Sequence, residues 1–325
     1  MFLSVIIPAY NEEKRLPATL KKVRDYLNRQ VYDWEVLVVN DGSKDKTAEV
    51  IKHTLGSSPF ASGHPIHPTQ SLPDRPRSLV SGESEHDFDR PRSGDIPSGS
   101  FRLIDNQVNQ GKGCVVKQGM LAAKGDWRLF MDADNSTDIE EIEKLWDYAK
   151  NGLGASFAFS RPSQPTRPLP YHPRSLVSGE SERDLDRHFA QDAPSASKYD
   201  VIIGSRYLNK DSIKIKQPFI RRIVSRMGNI LIRILLGVNM VDTQCGFKLF
   251  SAKAAEEIFP KQTIERWGFD MEILAIAKKK GYKIKEVAVD WYDAEGSQVK
   301  KSAALQTLKE LLVIKWNLIR GKYSH

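Results

Sequence analysis

Two carboxylates one residue apart, Asp132 and Asp134, sit in the run Met131-Asp132-Ala133-Asp134-Asn135. On an extended chain, side chains at i and i+2 share a face, so both acids are predicted to converge. Neither Cys nor His stands beside them. An all-oxygen pair suits a hard cation, Mg²⁺ or Mn²⁺, far better than Zn²⁺. Mg²⁺ is commonly held by one or two carboxylates together with substrate phosphates. The chemistry this spacing could do is therefore to fix a cation that grips a diphosphate. The same residues could equally make a turn with two solvated acids, because Asp-x-Asp alone is a weak signal. The surrounding elements have to decide.

The apolar run Trp127-Arg128-Leu129-Phe130-Met131 reads as a buried strand that delivers the pair at its carboxyl end. Residues 3–8 read as a short strand followed by Tyr10, Asn11 and Glu12, then by a helix with Pro17 in its first turn. That helix carries Leu16, Leu20, Val23 and Leu27 at one-face spacing. Residues 34–39 read as a second strand, ending in Asn40-Asp41-Gly42-Ser43, with a helix starting near Asp45 or Lys46. Strand, helix, strand, helix at this spacing implies parallel βαβ units. Ligands bind such sheets beyond the carboxyl ends of the strands. Tyr10, Asp41 and the Asp132/Asp134 pair are all predicted there, and this shared placement favours a site over a solvated turn.

Further strands are predicted at 101–104 and 200–204, the latter followed by Ser205-Arg206. Asn109-Gln110-Gly111-Lys112-Gly113 precedes a helix predicted over 114–123. Glycines ahead of a helix N-terminus let backbone N–H groups approach an anion, with Lys112 adding charge; a glycine-permitted turn reads the same way. Asp138 is predicted to cap a helix whose core face is Ile139, Ile142, Leu145, Trp146 and Ala149.

The pattern breaks twice, over about 56–100 and about 152–197, where Ser, Pro, Gly, Asp and Arg dominate without periodicity. The segment at 76–85 recurs unchanged at 173–182. Two copies flanked by unrelated sequence do not make a solenoid, so both breaks read as inserted, disordered low-complexity surface loops. Each follows a predicted helix and precedes a strand, on the face away from the carboxyl ends. Five of the seven histidines lie in them, which argues against a histidine-based metal site or triad.

The bulk numbers bound the rest. A chain of 325 residues fits one large α/β domain. Its 40% apolar content is a little low, as expected if two polar inserts dilute an ordinary core. A net charge of +8 suits nucleic acid, an anionic membrane face or phosphorylated substrates. No module alternates aromatic and basic residues, so a nucleic-acid partner is not expected. Cys114 and Cys245 match no disulfide or zinc pattern, which points to a reducing compartment. No leader and no membrane-spanning helix is predicted. Two stretches, 218–236 and 303–320, combine apolar and basic residues in helical spacing. Such helices can lie in a bilayer interface or pack on the domain.

Taken together in order, Val5-Ile6-Ile7-Pro8-Ala9-Tyr10-Asn11-Glu12, Val39-Asn40-Asp41-Gly42-Ser43, Asn109-Gln110-Gly111-Lys112-Gly113 and Asp132-Ala133-Asp134 resemble the family 2 glycosyltransferases of GT-A fold. Gly204-Ser205-Arg206, the run 242–250 and Arg266-Trp267-Gly268-Phe269-Asp270 resemble the branch acting on polyprenyl (dolichyl-type) phosphates. The resemblance covers nearly the whole chain except the two breaks, which the family lacks. It implies an α/β, Rossmann-like, mostly parallel sheet flanked by helices, forming one domain over 1–325. It also implies an inverting transfer of glucose from UDP-glucose to a polyprenyl phosphate, with GDP-mannose the alternative donor.

By the same resemblance, Pro8, Tyr10, Glu12 and Asp41 hold the nucleobase and ribose, and Lys112 lies near the nucleotide. Asp132 touches ribose or sugar and, with Asp134, holds the metal. Arg206 serves the sugar-phosphate region. Arg221, Ser225, Lys248 and Trp267 receive the acceptor phosphate. Asp270 occupies the position of a general base, although an anionic lipid phosphate needs no deprotonation; capping a helix at 271–280 is its structural alternative. The implied location is cytoplasmic, peripheral at the inner face of a membrane. Oligomeric state is left open, a homo-oligomer included.

Overall fold

The computed structural model describes residues 1–56, 99–149, 199–209, 229, 231–292 and 303–324. The body of both inserts lies outside these residues, as do Arg221 and Ser225 and most of the helix expected over 218–236.

In the first half, strands and helices alternate: β1 (Phe2–Ala9), α1 (Leu16–Leu27), β2 (Asp33–Asp41), α2 (Thr47–Gly56), β3 (Ser100–Asn106), α3 (Lys112–Ala122), β4 (Trp127–Met131) and α4 (Ile142–Ala149). The second half supplies β5 (Val201–Ser205), β6 (Phe247–Ser251), α5 (Ala252–Ile258), α6 (Phe269–Lys279), β7 (Ile284–Ala288) and α7 (Ala303–Ile319). All seven strands form one sheet in the order β3-β2-β1-β4-β6-β5-β7. Pairings β1–β2, β1–β4, β2–β3 and β5–β7 are parallel, whereas β6 runs antiparallel to both neighbours. The mostly parallel α/β sheet flanked by helices is thus present. Sequence reading did not mark β6 or β7 as strands: the 242–250 run drew notice as a motif, and β7 is short and only half buried.

Core residues alternate across the pleat, as a sheet covered on both faces requires. Leu3, Val5 and Ile7 pack with α1 and α4 on one face, and Ile6 packs with α3, α5 and α6 on the other. The predicted α1 stripe, Leu16, Leu20, Val23 and Leu27, is fully buried, as are Ile142, Leu145 and Trp146 of α4. Pro17 sits in the first turn of α1. Asp138 does hold the N-cap position of the short helical turn before α4, but its side chain makes no capping bond; it meets Lys22 instead.

Both inserts leave from helix-to-strand connections, α2 to β3 and α4 to β5, which feed the amino ends of the strands. Residues 231–236 are helical. Helix α7 buries Leu311 and Ile314 and leaves Leu308, Leu312, Trp316 and Ile319 exposed. Among the described residues, no helix is long and apolar enough to cross a membrane.

Candidate functional site

The site assembles from loops at the carboxyl edge of the sheet. After β1 the chain turns at Asn11, whose φ of 55° is left-handed, a conformation Asn tolerates better than most residues. The loop is stitched to the one after β2: Asn11 N donates to Ser43 Oγ (3.0 Å), Glu12 N to Thr47 Oγ1 (2.8 Å), and Lys44 N to Asn11 Oδ1 (2.9 Å). After β4 a second left-handed residue, Asn135, again at φ 55°, folds the chain back. Asp134 Oδ1 there accepts from Ser136 N at 3.0 Å. Thr19 of α1 donates to Ala133 O at 2.7 Å and fixes the loop from below.

Asp41, at the end of β2, is buried. Its carboxylate accepts from the backbone of Gln110 (2.6 Å) and Gly111 (3.0 Å) and from Asn109 Nδ2 (2.9 Å). The anion at the start of α3 is therefore the chain's own Asp41. Gly111 is required twice over: its φ is 101°, and a Cβ would lie 2.5 Å from Glu265 O. This holds α3 so that its first residue, Lys112, reaches Asp132 Oδ1 at 2.7 Å. Asp41 and Asp132 are thus joined through two consecutive residues, Gly111 and Lys112. The lysine ammonium also faces the Phe130 and Trp267 rings, each centroid at 5.5 Å.

Asp132 is fixed from behind. Its N–H donates to Gly246 O at 3.1 Å, and a Cβ on Gly246 would fall 2.0 Å from Asp132 Oδ2. Any larger residue at 246 would displace this carboxylate from where it stands. Asp132 Oδ1 is shielded from solvent, and the Lys112 ammonium is its ion-pair partner. A shielded acceptor beside a second carboxylate is the donor set a hard divalent cation takes. No group of three or more His, Cys, Asp or Glu side chains suited to a metal exists among the described residues. The pair fits a cation that draws its other ligands from a substrate and water.

Glu12 lies near both acids. Burial pushes its carboxyl up, and Asp134 and Asp132 add to that against Arg15, which binds Glu12 at 2.6 and 2.7 Å. Burial likewise raises Asp41, against the N–H groups of Gln110 and Gly111. Burial works against the charge of Lys112, but Asp132 and Asp270 hold its pKa above the ordinary lysine value. Pro8 is buried within β1, and Tyr10 is half-buried at its end.

The far half of the edge is built from pairs. Arg206, just past β5, grips Asp242 with Nε to Oδ2 (2.7 Å) and a terminal nitrogen to Oδ1 (2.8 Å), while its own N–H donates to Oδ2 (3.0 Å). The guanidinium lies over Tyr207 (5.3 Å) and Trp291 (5.6 Å). Glu286 of β7 accepts from the backbone of Val241 (2.9 Å) and Asp242 (2.7 Å). Although burial works to raise it, Arg206 holds the Asp242 carboxyl below the ordinary range.

Lys248 of β6 is fully buried; its ammonium donates to Asp270 and to Cys245 O. Asp270 is the second residue of α6, whose N-cap is Gly268, so the capping alternative does not apply. Burial raises the Asp270 carboxyl against the nearby Lys248 and Lys112. Trp267 is half-buried beside Lys112. The structure therefore brings together Glu12, Asp41, Lys112, Asp132, Asp134, Lys248, Trp267 and Asp270. Arg206 stands further along the same edge, and Arg221 and Ser225 lie outside the described residues.

Sequence reasoning missed Arg15, Asp242, Gly246, Glu286 and Trp291. Asp242 and Gly246 were in view, inside the 242–250 run; nothing local marks Glu286 or Trp291.

The chain is similar to known proteins along most of its length. The profile described as "Glycosyl transferase family 2" matches residues 4–61 and 95–197. A dolichyl-phosphate beta-glucosyltransferase, ALG5D, of Trichomonas vaginalis is 30% identical over 320 residues, covering 97% of this chain and 73% of its own. The enzymes of that name from Dictyostelium discoideum and Homo sapiens are 28% and 29% identical, each covering 99% of this chain and 76% and 77% of their own. Among solved structures, glucosyl-3-phosphoglycerate synthase from Mycobacterium tuberculosis, in complex with Mn²⁺, UDP-glucose and phosphoglyceric acid, superposes with a TM-score of 0.52 at 13% identity, covering 97% of this chain and 79% of that one. That likeness concerns the fold. With this sheet, these strand-end acids and relatives spanning nearly its whole length, the protein belongs to glycosyltransferase family 2, as a glycosyltransferase of GT-A-like fold.

Proposed function

We propose that the protein transfers glucose, with inversion, from UDP-glucose to a dolichyl-type polyprenyl phosphate at the cytoplasmic face of a membrane. The observation that carries this is the partly accessible Asp132 carboxylate, its Oδ1 paired with Lys112, beside Asp134, in a chain whose relatives along almost its full length are named for that reaction.

Asp132 and Asp134 would hold Mg²⁺ or Mn²⁺, the latter present with UDP-glucose in the mycobacterial synthase. Such a cation supplies Lewis-acid neutralisation of the departing diphosphate. The chain's own residues do the positioning. Glu12 and Tyr10, in the loop stitched to residues 43–47, would face the nucleoside, with Pro8 beneath them. Asp41 shapes the wall by fixing Gly111 and, through it, Lys112. Arg206, held by Asp242 through Nε and one terminal nitrogen, would present its remaining N–H groups to the sugar-phosphate region, where charge-assisted contacts suit phosphate. Asp270 needs to take no proton, since the acceptor phosphate attacks as an anion. Its role in this reading is to hold Lys248, and with it the floor under Lys112 and Trp267, against which the acceptor phosphate would come; Arg221 and Ser225 complete that region by resemblance. Catalysis then rests on positioning and fixed charge.

Helix α7 supports the lipid half of the reading. Leu308, Leu312, Trp316 and Ile319 form an exposed apolar stripe, and Arg320 lies 4.4 Å from the Trp316 ring centroid. An apolar stripe flanked by basic residues suits an anionic bilayer interface. Flotation with vesicles containing anionic lipid is expected for the wild type and is expected to weaken in Leu312→Glu; equal flotation of both would remove α7 from the membrane contact.

The deciding experiment supplies dolichyl phosphate with radiolabelled UDP-glucose or GDP-mannose, with Mn²⁺ present or chelated. Lipid label is expected from UDP-glucose with metal. Label from GDP-mannose would reassign the donor, and label undiminished by chelation would remove the cation from the site.

A further inference from the structure

Lys112 forms an ion pair with Asp132 of the Asp132/Asp134 pair, and the contact has three features that belong together. The ammonium meets Asp132 Oδ1 at 2.7 Å, and that oxygen is itself shielded from solvent. The carboxylate is closely backed: Asp132 N–H is tied to Gly246 O at 3.1 Å, and Gly246 passes so near that a Cβ there would lie 2.0 Å from Oδ2. The lysine, by contrast, ends a flexible stem, and its side chain keeps some solvent exposure, about 22%. Phe130 and Trp267 flank the ammonium without donating or accepting anything stronger than a ring-face contact. The acid is therefore the fixed partner and the lysine the exchangeable one.

A divalent cation on Asp132 Oδ1 would sit beside this ammonium at like-charge distance, an arrangement that is unfavourable until one positive charge finds another anion. A nucleoside diphosphate brings that anion. Resting on the metal and donor assignment above, we propose that Lys112 is the resident counter-ion of Asp132 and yields that carboxylate to the divalent cation when the diphosphate arrives. Lysine release to the phosphates then makes cation and donor bind as a coupled pair. The coupling is reciprocal: whatever factor the diphosphate adds to cation affinity, the cation adds to diphosphate affinity.

The test measures Mn²⁺ binding to the full chain by electron paramagnetic resonance of free Mn²⁺, with and without UDP, in wild type, Lys112→Met, Lys112→Gln and Lys112→Arg. Two neutral variants guard against one that fails to fold, and the arginine keeps the charge. In wild type, UDP is expected to tighten Mn²⁺ binding by about tenfold or more. Without UDP, the neutral variants are expected to bind Mn²⁺ about tenfold more tightly than wild type, and to gain about tenfold less from UDP than wild type does, the gain that remains being the ligands the diphosphate itself supplies. Lys112→Arg is expected to stay close to wild type without UDP. Neutral variants that bind Mn²⁺ no more tightly than wild type without UDP would overturn the counter-ion role while leaving the metal site standing. If none of the four proteins binds Mn²⁺ with or without UDP, the metal assignment falls, and the counter-ion role falls with it.

Discussion

The two halves of the sheet's carboxyl edge hold their charges by different means. Beyond β1, β2 and β4, geometry resides in the backbone: two left-handed asparagines, an Asx-type turn at Asp134 and a row of N–H bonds between loops. The acids so placed, Glu12, Asp132 and Asp134, stay partly accessible. Beyond β5 and β6, geometry resides in side-chain pairs, Arg206 with Asp242 and Lys248 with Asp270, three of the four buried. The first half offers negative charge to something that arrives; the second has already neutralised its own. An arriving cation and diphosphate would find acceptors on one side and oriented donors on the other, with Lys112 between them.

That division predicts that the most costly single change to turnover lies in the first half and leaves the fold intact. Among the described residues, Asp134 bonds one backbone N–H and no side chain. Asp134→Ala is expected to lower kcat by about a thousandfold, the scale of losing a main charge-stabilising group, while costing stability no more than the one turn hydrogen bond, about 1 kcal/mol. Near-normal kcat would place the chemistry elsewhere and erase the distinction between the halves.

In the second half, the expected loss is first one of stability. Asp242→Asn leaves the Arg206 guanidinium with an uncompensated charge and is expected to cost about 2–3 kcal/mol in urea unfolding. The sign with pH follows from Asp242's lowered pKa. Below the ordinary carboxylate range the unfolded chain takes up the proton first, so this contribution is fully present above that range. It is lost as pH falls through the folded value. The variant should therefore show a flatter acid limb of stability than wild type. An acid limb identical in both proteins would mean that the pair is not what stabilises this edge.

The same contrast governs what the sequence makes legible. Strand, polar turn and helix are contiguous in the first half, so short apolar runs ending in Asp or Asn at 41 and 132–135 reveal both the parallel sheet and the strand-end acids. The partners of the second half are far apart in the chain: Arg206 with Asp242, Lys248 with Asp270, Val241 with Glu286. Only the antiparallel insertion of β6 between β4 and β5 brings them together, and no local period announces it. The glycine run at 111–113 was legible as an anion-binding turn, but the anion proves to be internal, because Asp41 lies one strand away. Gly246 shows the other limit: its necessity comes from the carboxylate of Asp132 behind it.

The smallest expected effect tests whether backbone conformation really carries the first half. Asn135 is at φ 55°, a region that costs an ordinary L-residue about 1 kcal/mol and glycine almost nothing. Its Oδ1 is shielded and accepts no hydrogen bond, and its Nδ2 reaches Asp138 only at 3.5 Å. Asn135→Gly therefore removes little and is expected to keep stability within about 0.5 kcal/mol of wild type. Asn135→Ala is expected to lose about 1 kcal/mol and several-fold in kcat as the loop relaxes and Asp134 shifts. Equal behaviour of the two variants would show that the turn is held by its neighbours, Thr19 and Tyr292, which bond to Ala133 and Ser136, and not by its own conformation. A large loss of kcat in Asn135→Gly, at full stability, would instead give the shielded Oδ1 a direct part in holding the cation or the donor, and the acid pair would become a triad of oxygens.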